Sequence, residues 1–232
     1  LISSFTSHVS IASTNDIKWS PVTIPANGEY GKWMLASGAD TKCLTMAQDG
    51  TLYCYANPSG TTDTLFKSAD GGISWSSIGQ VKDTIIAIDT VPNDNMTLYY
   101  ATASSVYRSG DGGATFIALT QNPGGAGSNN IQITSLDVVR LGTYNLVAVG
   151  TKDTDFGNYG GVYLFDESST AGVWLNTSIG AHDVYQVAFS PDYPDDKVII
   201  AVASDKISTI IKSKTGDNSW QQMVGGECFP AM

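Results

Sequence analysis

The sequence predicts an all-β protein, a β-propeller of four-stranded antiparallel blades. Three observations predict it. A short motif recurs at blade-like spacing. Apolar, strand-like segments recur at fixed places around each copy. No stretch of 11 or more residues carries a 3.6-residue apolar period, so helices should be nearly absent.

The motif is clearest at Ser68, Asp70, Gly72 and Trp75, and again at Ser109, Asp111, Gly113 and Phe116. Both copies read S-x-D-G-G-x-[ST]-aromatic, and the aromatic positions lie 41 residues apart. A worn copy runs from Ser213 to Trp220 and has lost the central Asp. A fainter one runs from Asp166 to Trp174, and Trp19 reads as the end of another. An apolar strand precedes each copy: Leu65-Phe66, Val106-Tyr107, Val162-Tyr163 and Ile210-Ile211. A shorter apolar segment follows each, and a strand pair lies further upstream, as in Thr84–Ile88 with Thr97–Ala101. Four short strands per 40–60 residues is the period of propeller blades.

Blades are accordingly expected at about 27–80, 81–120, 121–180 and 181–232, with 1–26 as part of an incomplete one, all within a single domain. Four to five blades make a partial ring. A longer polypeptide or a partner chain is expected to complete it, because an open row leaves sheet edges and core exposed.

The two good motifs resemble the Asp box of bacterial neuraminidase repeats, S-x-D-x-G-x-[ST]-W. Families that share it include sialidases, xyloglucan-cleaving glycosidases, sortilin-type receptors, photosystem assembly factors and many surface proteins. The resemblance implies a hairpin between the third and fourth strands of a blade. Asp70 and Asp111 would then accept turn amides, Gly72 and Gly113 would supply turn dihedrals, and Trp75 and Phe116 would fill space beside the core. The role implied for these residues is structural.

Catalysis finds little support. A sialidase resemblance demands three arginines, a tyrosine nucleophile and a glutamate, and this chain has only Arg108 and Arg140. A glycosidase needs two carboxyls about 5–9 Å apart. Nineteen aspartates and three glutamates make such a pair easy to imagine, but most sit in turn contexts. His8 and His182 are the only histidines, and no nucleophile motif such as G-x-S-x-G accompanies them.

No cofactor is expected, with one reservation. Asp153, Asp155 and Asn158 offer oxygen ligands of the kind Ca²⁺ takes, against the reading of a solvated polar turn. The turn Asp192–Asp196 is a second such place. The Gly-rich run 123–128 lacks the Lys-Ser/Thr ending of a phosphate loop and reads as a flexible inter-blade connection. Cys43 and Cys54 flank the turn at Asp49-Gly50, where a cross-strand disulfide competes with two free thiols. Asn95 and Asn176 head N-glycosylation sequons.

The net charge of −10 disfavours a nucleic-acid partner. No apolar run reaches about 18 residues, so no membrane span is expected. The leading expectation is a non-enzymatic extracellular or cell-surface propeller for scaffolding, surface-layer assembly or adhesion, with protein partners or self-assembly. The alternatives are a glycoside hydrolase or carbohydrate-binding propeller, and a protein-binding assembly factor. Paired carboxylates with aromatics in one axial cleft would mark the enzyme. An aromatic-lined groove without an acid pair would mark a binding module.

Overall fold

The computed structural model describes residues 40–57, 64–79, 81, 83–128, 130–155, 157–205 and 207–230, without the side chains of 224–230. Expectations for residues 1–26, Trp19 and His8 fall outside the described residues.

Among the described residues, sixteen strands form four antiparallel sheets, each a meander in chain order. The first sheet holds β1 (Asp40–Met46), β2 (Leu52–Asn57), β3 (Leu65–Ser68) and β4 (Ser76–Gly79). The second holds β5 (Ala87–Thr90), β6 (Leu98–Ala101), β7 (Val106–Ser109) and β8 (Ile117–Ala118). The third holds β9 (Ile131–Leu141), β10 (Tyr144–Asp153), β11 (Gly161–Asp166) and β12 (Trp174–Asn176). The fourth holds β13 (Asp183–Phe189), β14 (Val198–Ser204), β15 (Ser208–Thr215) and β16 (Gln221–Pro230). Among the described residues, helix is confined to one turn at Tyr193–Asp196 and a 3-10 turn at Pro123–Gly125.

The first strand of each sheet stands against the first strand of the next: β1 on β5, β5 on β9, and β9 on β13. That is the inner ring of a propeller, and each inter-sheet space is filled by its own apolar cluster. Tyr53, Leu65, Ile85 and Leu98 fill the first, Val91, Tyr99, Val106 and Val147 the second, and Leu146, Val184, Val187 and Ile199 the third. Strand β10 shows the logic best. Val147 and Val149 face back to the second sheet, Leu146 and Ala148 forward to the fourth, and all four are buried. A strand covered on both faces needs a continuous apolar run. The outermost strands of the first three sheets are short, and β8 is exposed along its length.

The box aromatics lock neighbouring sheets. Trp174 Nε1 donates to the Gln121 carbonyl at 3.2 Å, and Trp220 Nε1 donates to the Thr177 carbonyl at 3.1 Å. Phe116 meets Tyr100 edge-on at 4.8 Å in the space between the first two sheets. Trp75 instead donates to the Gly72 carbonyl of its own turn at 3.1 Å.

One open alternative closes, and one expectation needs correction. Cys43 and Cys54 do lie across one hairpin, but both thiols are free. Cys43 pairs with Tyr55 and Cys54 with Leu44, one residue out of step, so the side chains leave opposite faces of the sheet. Cys43 packs toward the second sheet, whereas Cys54 packs with Phe66 and Trp75. The Gly-rich run, in turn, is a packed plug between sheets two and three. Pro123 and Ala126 are buried, and a Cβ on Gly124 would lie 2.5 Å from the Tyr163 ring. The glycines there permit close approach rather than motion.

Candidate functional site

The two complete boxes are built identically. Ser68 Oγ accepts from Gly72 N (2.9 Å) and donates to Asp70 (2.8 Å), while Asp70 accepts from Ser74 N (2.9 Å) and Ser74 Oγ (2.5 Å). Ser109, Asp111, Gly113 and Thr115 repeat this at 2.9, 2.7, 2.9 and 2.6 Å. Gly72 and Gly113 sit at φ of 90° and 89°, where a side chain is strained. Where the central Asp is lost, a plain backbone turn replaces the carboxylate: Asn218 N donates to the Thr215 carbonyl at 3.0 Å, and Ser213 is simply a residue of β15.

Hydrogen bonds from Ser74 and Ser68 hold Asp70, and those from Thr115 and Ser109 hold Asp111, down at about 2. A depressed carboxylate stabilises the fold above its unfolded pKa of ~4 and loses that effect as pH falls through the folded one. Asp111→Ala is therefore expected to lower Tm at pH 7, with the gap to wild type closing as pH falls through about 2. A gap that stays constant down that acid titration would show that the carboxylate charge is not what the turn uses.

A tyrosine–glutamate–arginine cluster does exist, but it is a strut. Tyr99 Oη donates to Glu167 at 2.6 Å and accepts from Asn145 Nδ2 at 2.9 Å and Arg108 Nε at 3.2 Å. It joins β6 and β7 of the second sheet to β10 and the turn after β11 in the third. Tyr99 is fully buried, and burial, followed by the Glu167 interactions, pushes its phenol well above the ordinary value.

The most perturbed carboxyls belong to a pair that the sequence reading missed. Asp89 on β5 and Asp137 on β9 are half-buried and hydrogen-bonded to each other. Burial, then the charge of Asp137, raises Asp89 to about 7, and burial raises Asp137 as well. Each also accepts a backbone amide from the next sheet: Asp89 from Val138 N at 3.1 Å, Asp137 from Phe189 N at 2.5 Å. Thr90 Oγ1 adds a bond to the Met46 carbonyl of the first sheet at 3.0 Å. All four inner strands are thus stitched together. Asp89 borders an open depression of about 380 Å³ with Met46, Gln48, Thr90 and Asn93, and no aromatic lines it.

The loop considered for calcium bonds its carboxylates to its own backbone and to the Asn130 side chain. Asp153 accepts from Asp155 N at 3.1 Å and from Asn158 N, and Asp155 accepts from Gly157 N at 2.9 Å and Asn130 Nδ2 at 2.5 Å. In the turn near 192–196, Asp196 accepts from Ser190 Oγ at 2.5 Å and Val198 N at 2.8 Å. No three His, Cys, Asp or Glu side chains converge to hold a metal among the described residues. Asn95 and Asn176 are exposed.

Aromatics gather elsewhere. A cleft of about 360 Å³ between sheets one and two is lined by Leu65, Ile78, Tyr100, Tyr107 and Phe116, with the exposed Asp83 at its edge. Tyr100 and Tyr107 stack at 4.7 Å. A larger cleft of about 650 Å³ between sheets three and four presents Leu164, Leu175, Tyr144, Tyr193, Lys197 and Lys214.

Among solved structures, the chain is similar to an extracellular domain assigned to a hybrid two component system of B. thetaiotaomicron. The TM-score is 0.52 at 16% identity, over 81% of this chain and 22% of that one. It is also similar to a luciferin-regenerating enzyme, with TM-score 0.51 at 13% identity, over 78% of this chain and 59% of that one. The likeness is one of fold. No family model matches the chain, and no curated protein matches it. The chain spans about a fifth of the extracellular domain's length. No described helix is long and apolar enough to cross a membrane.

Proposed function

We propose that this chain is a non-enzymatic propeller of the cell surface or extracellular space, contacting other proteins in scaffolding, surface-layer assembly or adhesion. One observation carries the non-enzymatic part. The carboxyl pair with the strongest perturbation is bonded to backbone amides of the neighbouring inner strands, Asp89 to Val138 N and Asp137 to Phe189 N, which supports a structural role for it. The aromatic-lined cleft between sheets one and two has a single carboxyl at its edge, as a binding module would. The charge of −10 and the exposed sequons at Asn95 and Asn176 support an extracellular setting.

Two measurements test the reading. Incubation with xyloglucan and a panel of aryl glycosides should release no product. Native mass spectrometry should find the chain in assemblies above 24.5 kDa. Turnover that Asp89→Asn abolishes would overturn it, as would a strictly monomeric chain that is retained on no surface.

A further inference from the structure

The middle inter-sheet space shows what such a cleft accepts. Its framework repeats that of the first: Val106 stands where Leu65 does, Leu119 where Ile78 does, Tyr163 where Tyr107 does, and Trp174 where Phe116 does. The strand registers fix these equivalences. Tyr107 and Tyr163 each follow the valine that opens the third strand's apolar run, and each pairs outward with the second residue after the box aromatic, Ala118 and Asn176. In the middle space the chain inserts its own Pro123–Ala126 turn. Pro123 and Ala126 are buried, Gly124 lies against the Tyr163 ring, and Ala126 packs in the cluster with Val106 and Leu119.

The connection between sheets one and two is shorter, running from the end of β4 at Gly79 to Ala87, and its sequence holds neither proline nor glycine after Gly79. It contributes the buried Ile85 and the half-buried Val81 to the cluster. What remains is the 360 Å³ cleft, walled by the stacked Tyr100 and Tyr107 and the edge of Phe116. Proline fits such walls. Its ring is apolar, its backbone is already restrained, and aromatic-lined grooves take proline-containing segments at low entropic cost.

We propose that the cleft between sheets one and two is a docking groove for a proline-containing turn of a partner protein. This occupant would take the place that Pro123–Ala126 fills one sheet further on. The inference rests on the protein-contacting role above and names the partner's chemistry. Asp83 at the rim would receive a peptide N–H or a basic side chain.

The test is a titration of the full chain with a synthetic peptide of residues 121–128, followed by amide and aromatic NMR shifts. The expected result is saturable binding with Kd between about 0.1 and several mM, with shifts at Tyr107, Ala114 and Phe116. A peptide with serine in place of proline should bind at least ~10-fold more weakly. Ala114 is exposed at the cleft. Ala114→Trp should therefore fill the mouth and abolish binding while leaving Tm unchanged. Absence of saturable shifts overturns the proposal, as do shifts confined to Tyr163 and Trp174 or binding that survives Ala114→Trp. Such a failure leaves the non-enzymatic reading to its own assays of turnover and native mass.

Discussion

Gly160→Ala is expected to lower Tm by about 6–12 °C, a loss of roughly 3 kcal/mol or more. The glycine sits where the loop after β10 returns to begin β11. A Cβ there would stand 1.9 Å from the Thr151 carbonyl oxygen and 2.6 Å from Lys152 N. Both are backbone atoms of β10, a strand held on both sides by sheet pairing, so neither can swing away as a side-chain tip would. The loop cannot retreat either. Gly160 N donates to Asp183 Oδ1 at 2.9 Å, and the same oxygen accepts Asp153 N at 2.8 Å, so one buried carboxylate of the fourth sheet clamps both ends of the loop. Relieving the clash means breaking that clamp. Gly142→Ala is the control. Its Cβ would meet nothing within 4 Å, and only its φ of 63° is unfavourable, which costs about 1 kcal/mol. Equal losses in the two variants by chemical denaturation would show that backbone conformation, not the Thr151 contact, is what these positions require.

The contrast between those glycines marks what a sequence discloses. The boxes were legible because all their chemistry is local. Serine, aspartate and the hydroxyl four residues on from it bond to one another within one turn, so the pattern is its own hydrogen-bond diagram. Four-stranded meanders followed from the same spacing, since each box closes a hairpin between third and fourth strands. Gly160 was silent because its constraint comes from a strand met only after folding. The Gly-rich turn was misread for a related reason: glycine permits motion and close packing alike, and only the Tyr163 ring decides between them. The sequence puts the cysteines on one hairpin and leaves their bonding open, because a register offset of one residue, enough to send them to opposite faces, is set only by the strand pairing. Asp89 and Asp137 lie 48 positions apart, and the signal available was a lone aspartate inside each of two apolar strands, Ile85–Val91 and Ile133–Val139. A charge in such a run calls for a partner, but one sequence does not say which.

That pair gives the second large effect, a stability that falls with rising pH. The folded chain holds Asp89 at about 7, while an unfolded aspartate titrates near ~4. The folded state therefore keeps a proton that the unfolded state has released. Its contribution is complete below about pH 4 and is lost as pH climbs through about 7. At ~1.4 kcal/mol per pKa unit, the loss between pH 4 and 8 comes to about 2–4 kcal/mol. The box aspartates work in the opposite direction below pH 4, so maximal stability is expected at pH 4–5. Asp89→Asn isolates the cause. Its amide can donate to Asp137 and its carbonyl can still accept Val138 N, so the stitch between the inner strands survives without a titrating proton. The variant should match wild type near pH 5, exceed it at pH 8, and lose most of the slope in between. Asp137→Asn should reduce the slope by less, because it removes the neighbouring charge but leaves the burial that is the larger cause of the Asp89 shift. His182 also titrates, with its pKa pushed down by burial and then by Lys212, but its contribution is common to all these proteins and cancels in the difference. A wild type equally stable at pH 5 and 8, or an Asp89→Asn variant that keeps the slope, would mean that the two carboxyls are not sharing a proton across the sheets.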